Sequence, residues 1–205
     1  REPIMGAKSN IEWTDATWTP IRARRKQNGK VGIHCEKVSA ECKHCYAERM
    51  NLRNLPQHGT GLPFTVLSGN AVDIFVDENI AEHPLRWKRP RKIFVCSQTD
   101  LFAQFVPDPF IDRLFAIMAI CRQHTFQVLT KRPERMLSYM TAPQANQRLA
   151  IATMSRSVGF ALDNPPPTFP LANVWLGVTA GTQQSADERI PLLLETPAAK
   201  RFVSC

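Results

Sequence analysis

The chain has 205 residues, a formal net charge of +8 and a hydrophobic fraction of 43%. This length suffices for one ordinary domain with a sizeable core, and the hydrophobic fraction is typical of globular proteins, which argues against wholesale disorder. No apolar run approaches the ~20 residues that a membrane-spanning helix requires, so such a helix is excluded.

The chain starts without the basic and then apolar residues of a secretory signal peptide. Met5 is a candidate initiator, which would make residues 1–4 a remnant of cloning. Without an export signal we expect a cytoplasmic, reducing environment, in which cysteines bind metal or stay free rather than form disulfides. The six cysteines are Cys35, Cys42, Cys45, Cys96, Cys121 and Cys205.

Two stretches of the chain are strongly basic. The first follows a short predicted strand at residues 17–19, and because Pro20 and Gly29 bracket it we expect an exposed loop. Such clusters can neutralise phosphates, although charge runs are commonly just solvated. The first cluster is Arg22, Arg24, Arg25, Lys26 and Lys30, and the second is Arg86, Lys88, Arg89, Arg91 and Lys92.

Three cysteines lie close together as Cys35, six residues, Cys42, two residues and Cys45, directly before Tyr46. Thiolates bind metals, and two of them spaced C-x-x-C can hold one metal centre. Three thiolates are one short of the usual four of a closed zinc site or a fully ligated iron–sulfur cluster. The missing ligand either comes from elsewhere or leaves a coordination position open for a small molecule.

Two metal sites fit this spacing. A structural zinc site would take its fourth ligand from His34, His44 or His58. A [4Fe–4S] cluster would use the three thiolates alone and keep one iron free, and the position of the segment between a strand and a helix favours this alternative. Cys96 lies in a predicted strand and Cys121 on an apolar helix face, so both are expected in the core.

Beyond the cysteines, short apolar runs alternate with helical patterns. This alternation predicts an α/β fold with a parallel sheet, whose right-handed crossovers bring the carboxyl ends of the strands to one rim. A helix at residues 46–55 and a loop at 57–70 come first. We predict strands at 72–76, 92–96, 125–130, 173–179 and 201–204, and helices at 109–122, 133–140 and 185–194.

Sites in parallel sheets form at the carboxyl ends of the strands. Polar or small residues follow three predicted strands there, although turns and helix caps favour the same residue types. Residues 141–172 contain three consecutive prolines and are expected to form an insertion over the surface. A last strand without a following helix fits either a partial barrel or a longer chain. The rim residues are Ser97, Thr99, Asp100, Thr130, Lys131, Arg132, Thr179 and Gly181.

Several segments of the chain resemble a family of phage and prophage proteins with a three-cysteine motif. That family is in turn similar to the radical S-adenosylmethionine (SAM) superfamily, in which the first cysteine gap is most often three residues rather than the six found here. The matching segments are residues 11–20, 34–48, 84–87, 93–102, 129–133, 174–179 and 201–204.

The resemblance implies one partial (β/α) barrel domain, with parallel strands inside and helices outside. It implies a [4Fe–4S] cluster on Cys35, Cys42 and Cys45 with SAM on the open iron, an external electron donor and a possible protein partner. The residues that it would place beside SAM or the substrate are Tyr46, Ser97, Asp100, Lys131 and Thr179.

The resulting hypothesis is an enzyme that cleaves SAM reductively and lets the released radical abstract hydrogen from a substrate. The positive charge and the phage-like resemblance favour a nucleic acid or nucleoside as that substrate. The alternative is a non-catalytic, zinc-stabilised nucleic-acid-binding protein, in which the cysteines are structural and the basic clusters are the working surface. The identity of the bound metal separates the two hypotheses.

Overall fold

The computed structural model describes residues 8–53, 59–143, 145–157, 159 and 167–205. Within these ranges, none of the helices combines the length and the apolar character needed to cross a membrane. Several sequence-based expectations lie outside the described residues, namely Met5 as the initiator, residues 1–4, the end of the helix predicted for 46–55, His58 as a ligand, and residues 165–166.

A five-stranded sheet forms the centre of the molecule, and every neighbouring pair of its strands is parallel. This confirms the predicted α/β fold with a parallel sheet. After the first strand, the order in the sheet follows the order in the chain. The strands, in sheet order, are β1 (Ala16–Trp18), β5 (Lys92–Val95), β6 (Thr125–Thr130), β7 (Val174–Thr179) and β8 (Lys200–Ser204).

Helices connect the strands of this sheet. Because right-handed crossovers that step in one direction place their helices on one face, these helices lie on the same side of the sheet. The three helices predicted from the sequence are confirmed with small shifts of their ends. The connecting helices are α5 (Asp108–Ile120), α6 (Pro133–Thr141), α7 (Ala145–Ser157) and α8 (Gln183–Glu195).

The face of the sheet without these helices carries Phe94, Gly177 and Phe202. Trp13 packs there against Phe94, with ring centroids 4.8 Å apart, and against Phe202 at 6.2 Å. A Cβ atom on Gly177 would lie 2.7 Å from the Phe202 ring, so only glycine permits this packing. The aromatic layer therefore continues towards the carboxyl ends of the strands.

A second, antiparallel sheet contains β2 (Ile21–Arg25), β3 (Val31–Gly32) and β4 (Val72–Val76), with β2 in the middle. The strand predicted at 72–76 is confirmed. The exposed loop predicted for the first basic cluster is wrong, because β2 pairs on both sides and buries Arg22 to 4% exposure. The Arg22 Nε donates a hydrogen bond of 3.1 Å to the Gly32 carbonyl.

Short helices occupy several connections. The predicted loop at 57–70 contains one of them. The helix predicted for 46–55 is confirmed from Tyr46 to Leu52, and Arg53 already lies in a turn. Such short segments carry too few turns for a periodic pattern in the sequence. They are α1 (Tyr46–Leu52), α2 (Val66–Gly69), α3 (Glu78–Ala81), α4 (His83–Arg86) and a 3₁₀ turn at Ala40–His44.

Helix α7 corrects the expectation that residues 141–172 run over the surface. It packs along α5, and its Ile151 and Met154 are buried in the main core. The first two of the three consecutive prolines, residues 165–166, lie outside the described residues. The helix that precedes them in the chain contributes to the core instead of running over the surface.

Truncating a buried side chain of α7 should therefore destabilise the whole domain. Met154 is 4% exposed, so Met154→Ala is expected to lower the free energy of unfolding by about 2–5 kcal/mol through lost packing and a residual cavity. Leu149, on the same helix, is 63% exposed, and Leu149→Ala should change it by less than about 0.5 kcal/mol. Chemical denaturation of both variants measures the difference, and equal effects would contradict the buried packing of α7.

Candidate functional site

A cavity of about 430 Å³ lies at the carboxyl ends of the parallel strands. All eight site residues predicted from the sequence border it, although they come from four separate segments of the chain. Two of these segments follow β5 and β6, and the third is Thr179, the last residue of β7. The fourth is the cysteine segment, residues 35–46. The eight residues are Cys35, Cys42, Cys45, Tyr46, Ser97, Asp100, Lys131 and Thr179.

The three cysteines of this segment are half-buried free thiols. Cys42 lies on the 3₁₀ turn, and Cys45 directly precedes α1. Burial, together with the nearby Asp100 carboxylate, raises the pKa of Cys35 to about 12. The Cys35 thiol therefore keeps its proton at neutral pH, and a metal that bound there would have to displace it.

Two side chains fix the backbone on either side of Cys35. The Thr99 hydroxyl donates a hydrogen bond of 2.6 Å to the His34 carbonyl. Arg132 donates through Nη2 to the Glu36 carbonyl at 3.0 Å. Thr99 follows β5 and Arg132 follows β6, so the first cysteine is held against the ends of two adjacent strands.

Arg132 is in turn oriented by the buried carboxylate of Asp100. Asp100 accepts hydrogen bonds from Arg132 Nη1 at 2.9 Å and from the Thr130 hydroxyl at 2.8 Å. The backbone N–H groups of Lys131 and Phe102 add further bonds, at 3.1 and 3.0 Å. These donors occupy both oxygens of Asp100, so this carboxylate serves the protein's own structure as well as bordering the cavity.

Glu41 fixes the turn that carries Cys42. Its carboxylate accepts hydrogen bonds from the Gly181 N–H at 3.0 Å and from both terminal nitrogens of Arg189 at 3.3 Å, as well as from the Ser39 hydroxyl. Burial by itself would raise the pKa of Glu41, but the hydrogen bonds and the Arg189 charge outweigh it and lower the pKa to about 2. The ionised Glu41 thus ties the Cys42 turn to the connection between β7 and α8.

Glu41 and Arg189 are the functional residues that the sequence did not reveal. They are separated by 148 positions, and neither belongs to a periodic or recognisable motif. Arg189 also donates to the Thr179 carbonyl at 2.7 Å, which links the end of β7 to the same contact. No local pattern could have found this pairing, because it exists only once the strands are assembled.

Tyr46 and Lys131, both on the cavity wall, differ in whether their polar groups are free to bind a ligand. The Tyr46 hydroxyl donates to the Ser97 carbonyl and so joins the start of α1 to the end of β5. Lys131 uses only its backbone N–H in the Asp100 network. Among the described residues its ammonium group has no ion-pair partner, so Lys131 can offer a positive charge to a ligand.

The opposite wall of the cavity is apolar. Trp13, which is 37% exposed, borders the cavity together with Phe94 and Leu129. A small-molecule site typically combines such an apolar wall with a few polar groups that fix orientation. The cavity therefore has the composition of a ligand site as well as its shape.

The candidate zinc-binding histidines have different environments. His34 is 3% exposed and packs beside Phe105, with ring centroids 4.8 Å apart, and is not among the residues that border the cavity. His44 does border the cavity. His34 is thus a core residue, and His44 is the candidate that remains within the described part of the chain.

The other two buried cysteines lie in the core, as expected from their apolar surroundings. Cys96 in addition borders the cavity, and its backbone is in the left-handed region with φ of 54°. This conformation is uncommon for a residue other than glycine, and here it turns the chain out of β5 into the Ser97–Asp100 rim. Cys121 is buried at the carboxyl end of α5.

In the residues that the structure describes, no three His, Cys, Asp or Glu side chains are arranged so that they could hold a metal ion. The donor set of Cys35, Cys42 and Cys45 nevertheless fits an iron–sulfur cluster or zinc in kind, because thiolates are the ligands that both prefer. All three thiols are free and border one cavity. The chemistry of the donors therefore fits such a group.

Comparison with curated proteins and with solved structures gave no significant match. A family match covers residues 8–205, and the description of that family is "protein of unknown function (DUF5131)". The matched region includes both sheets, the cysteine segment and every residue of the cavity wall. The chain belongs to this family, DUF5131.

Proposed function

We propose that this chain is an iron–sulfur enzyme of the radical SAM type, which cleaves SAM reductively and modifies a nucleic acid or nucleoside in the cytoplasm. One observation carries the proposal. Three free cysteines within eleven residues share a cavity with polar residues that follow three adjacent parallel strands. Sites of parallel α/β proteins lie at this edge, and a thiolate set there can hold a reactive cofactor.

The form of the sheet that we propose is a partial (β/α) barrel. From β5 to β8 each strand lies next to its predecessor in the chain, and helices cover one face, which is the arrangement that a barrel repeats. The aromatic face with Trp13, Phe94 and Phe202 would then be the inner face. This geometry would lead substrates towards the cysteine segment.

Cys35, Cys42 and Cys45 would hold the [4Fe–4S] cluster. When bound and reduced by an external electron donor or protein partner, the cluster would supply one electron to SAM, and the cleavage of SAM would release the radical that attacks the substrate. The chain's own contribution is position: Glu41 and Arg132 fix the cysteine segment on both sides. Without these contacts an irregular segment could not present three thiols to one space.

Other residues would bind and orient the ligands. The Lys131 ammonium would pair with a carboxylate or phosphate, since charge-assisted hydrogen bonds are the strongest that a side chain offers. Ser97 and Thr179 would supply hydroxyl groups beside it. Trp13 and Phe94 would cover an aromatic ring and keep water out.

The second candidate is a non-catalytic, zinc-stabilised nucleic-acid-binding protein. The observation that favours it is that His44 borders the same cavity as the three cysteines, which would complete a Cys₃His ligand set. In that case the cavity would be structural. Metal analysis decides between the two candidates.

The metal test uses protein purified without oxygen and reconstituted with iron and sulfide. We expect brown protein with about four irons per chain, and loss of that iron in Cys35→Ala, Cys42→Ala and Cys45→Ala, because each thiolate binds one iron of the cluster. Cys96→Ala and Cys121→Ala are the matched controls and should keep the iron, since both thiols belong to the core.

Colourless protein with one zinc per chain would reject the iron–sulfur proposal in favour of the second candidate. If Cys96→Ala lost iron as completely as Cys42→Ala, the ligand set would be wrong even if the metal were right. Iron and zinc are quantified on the same samples, so each outcome is assigned to one cause.

Lys131 and Asp100 should respond differently to substitution. Lys131→Met removes a charge without an internal partner, so we expect SAM to bind about tenfold more weakly or worse, with unchanged stability. Asp100→Ala leaves the buried Arg132 charge uncompensated and should lower the free energy of unfolding by about 3–5 kcal/mol. Calorimetric titration with SAM and chemical denaturation measure the two effects.

Unchanged SAM affinity in Lys131→Met would place the anionic end of the ligand elsewhere. Unchanged stability in Asp100→Ala would mean that the Arg132 side chain finds other partners. Because one variant tests a ligand contact and the other an internal one, the two results are independent.

A further inference from the structure

The structure gives the two basic clusters of the sequence opposite roles. In the first cluster, Arg22 is buried, and Arg24, Arg25 and Lys26 lie nearer the surface but contact neighbouring residues of the protein. Arg22 is buried in β2, and the Arg24 guanidinium lies 4.7 Å from the centre of the Phe75 ring. Arg25 donates to Gln27 at 2.8 Å, and Lys26 donates to the Asn70 carbonyl at 3.0 Å. The first cluster therefore makes contacts within and beside the small antiparallel sheet.

The second cluster has charges that remain available. Lys88, Arg89 and Lys92 are exposed, and within the described residues their side chains have no ion-pair partner. Arg86, by contrast, pairs with Glu82 at 2.9 Å. The cluster directly precedes β5, so it lies at the amino ends of the parallel strands, on the edge opposite the cysteine cavity.

The same edge carries further cations. Arg122 precedes β6 and Lys200 begins β8, and both are exposed. Lys92 pairs in register with Thr125 on β6, and Lys200 with Trp175 on β7. Since neighbouring strands lie ~4.8 Å apart, the three spacings from β5 to β8 give a basic band about 15 Å long.

The band includes a concave surface with an aromatic wall. Arg122, Lys200 and Trp175 border a second cavity, of about 550 Å³. The Lys200 ammonium lies 4.5 Å from the centre of the Trp175 ring. Acidic residues on this edge include Asp15, which accepts a hydrogen bond from the Lys92 N–H, Glu82, which pairs with Arg86, and Glu195 at the end of α8. None of them forms an ion pair with Lys88, Arg89, Lys92 or Lys200 among the described residues.

We propose that this amino-edge band is a docking surface for single-stranded nucleic acid. Cations in a row fit successive phosphates, and an aromatic wall in a cavity fits an unstacked base, which a duplex does not offer. This proposal rests on the proposed function, in which the substrate is a nucleic acid, and it adds the surface where that substrate would bind. The band consists of Lys88, Arg89, Lys92, Arg122 and Lys200, with Trp175 as the aromatic member.

The test compares two triple variants that remove the same charge. Lys88→Gln, Arg89→Gln and Lys200→Gln are combined in one protein, and Arg24→Gln, Arg25→Gln and Lys26→Gln in the control. Binding of a fluorescein-labelled oligothymidine, and of an oligouridine of equal length, is followed by fluorescence anisotropy between about 50 and 200 mM salt. Protein as purified is used, because the readout requires neither iron nor SAM.

The band variant should lose at least about tenfold in affinity for the oligonucleotide, and its log–log salt slope should fall by about 2, since each lost contact removes ~0.7 on a single strand. The control variant should stay within about twofold of the unchanged protein. Equal loss in both variants would overturn the proposal, because it would show a response to net charge alone. Absence of binding by the unchanged protein, or tighter binding of a duplex, would overturn it too.

These outcomes are separate from those of the iron–sulfur proposal. A protein that binds four irons and cleaves SAM but ignores oligonucleotides would refute only the docking surface. A protein that contains zinc and binds the oligonucleotide through the band would refute only the enzyme. Circular dichroism of both triple variants shows that any loss of binding is not a loss of fold.

Discussion

The buried ion pair between Asp100 and Arg132 is the contact on which the cavity depends. Both side chains are more than nine-tenths buried, and either charge alone would lose its hydration without compensation. The pair is sustained because Thr130 and two backbone N–H groups complete the hydrogen bonds of the carboxylate. The ends of β5 and β6 are thereby fixed to each other, and Arg132 has a nitrogen left over for the Glu36 carbonyl.

The cysteine segment shows how an irregular chain can be positioned without regular structure of its own. Around Cys35 and Cys42 it has only a 3₁₀ turn, and its place is set by side chains that reach it from β5, β6 and α8. Asp100 and Glu41 are both paired with arginines, which partly offset their negative charges. The Lys131 ammonium and the Glu36 carboxylate also border the cavity, so it offers a ligand one positive and one negative group.

The sequence predicted β5, β6 and β7 well because each contains a compact apolar run that is largely buried. The prediction of β8 is also confirmed, although its residues are exposed or half-buried. The sequence also predicted the rim, since polar residues after parallel strands must converge at one edge, and Ser97, Lys131 and Thr179 do so. It did not predict the contact of Glu41 with Arg189, which depends on three-dimensional assembly, or the packing of α7, which nearby prolines concealed. The sequence analysis wrongly placed Arg22 in an exposed loop, because a run of charged residues does not reveal whether the segment pairs as a strand.

The two basic clusters also show that topology, and not local sequence, decides where charged residues lie, and here the difference bears on function. They have similar composition, yet the first lies in and beside the antiparallel sheet, where Arg22 is buried, and the second lies at the amino ends of the parallel strands. The difference arises from topology, because residues that precede parallel strands all gather at one edge, just as residues that follow them gather at the other. One sheet thus separates a thiol-lined cavity from a basic band. A nucleic acid held at the band would need a free end or a loop to reach the cavity, which again favours a single strand.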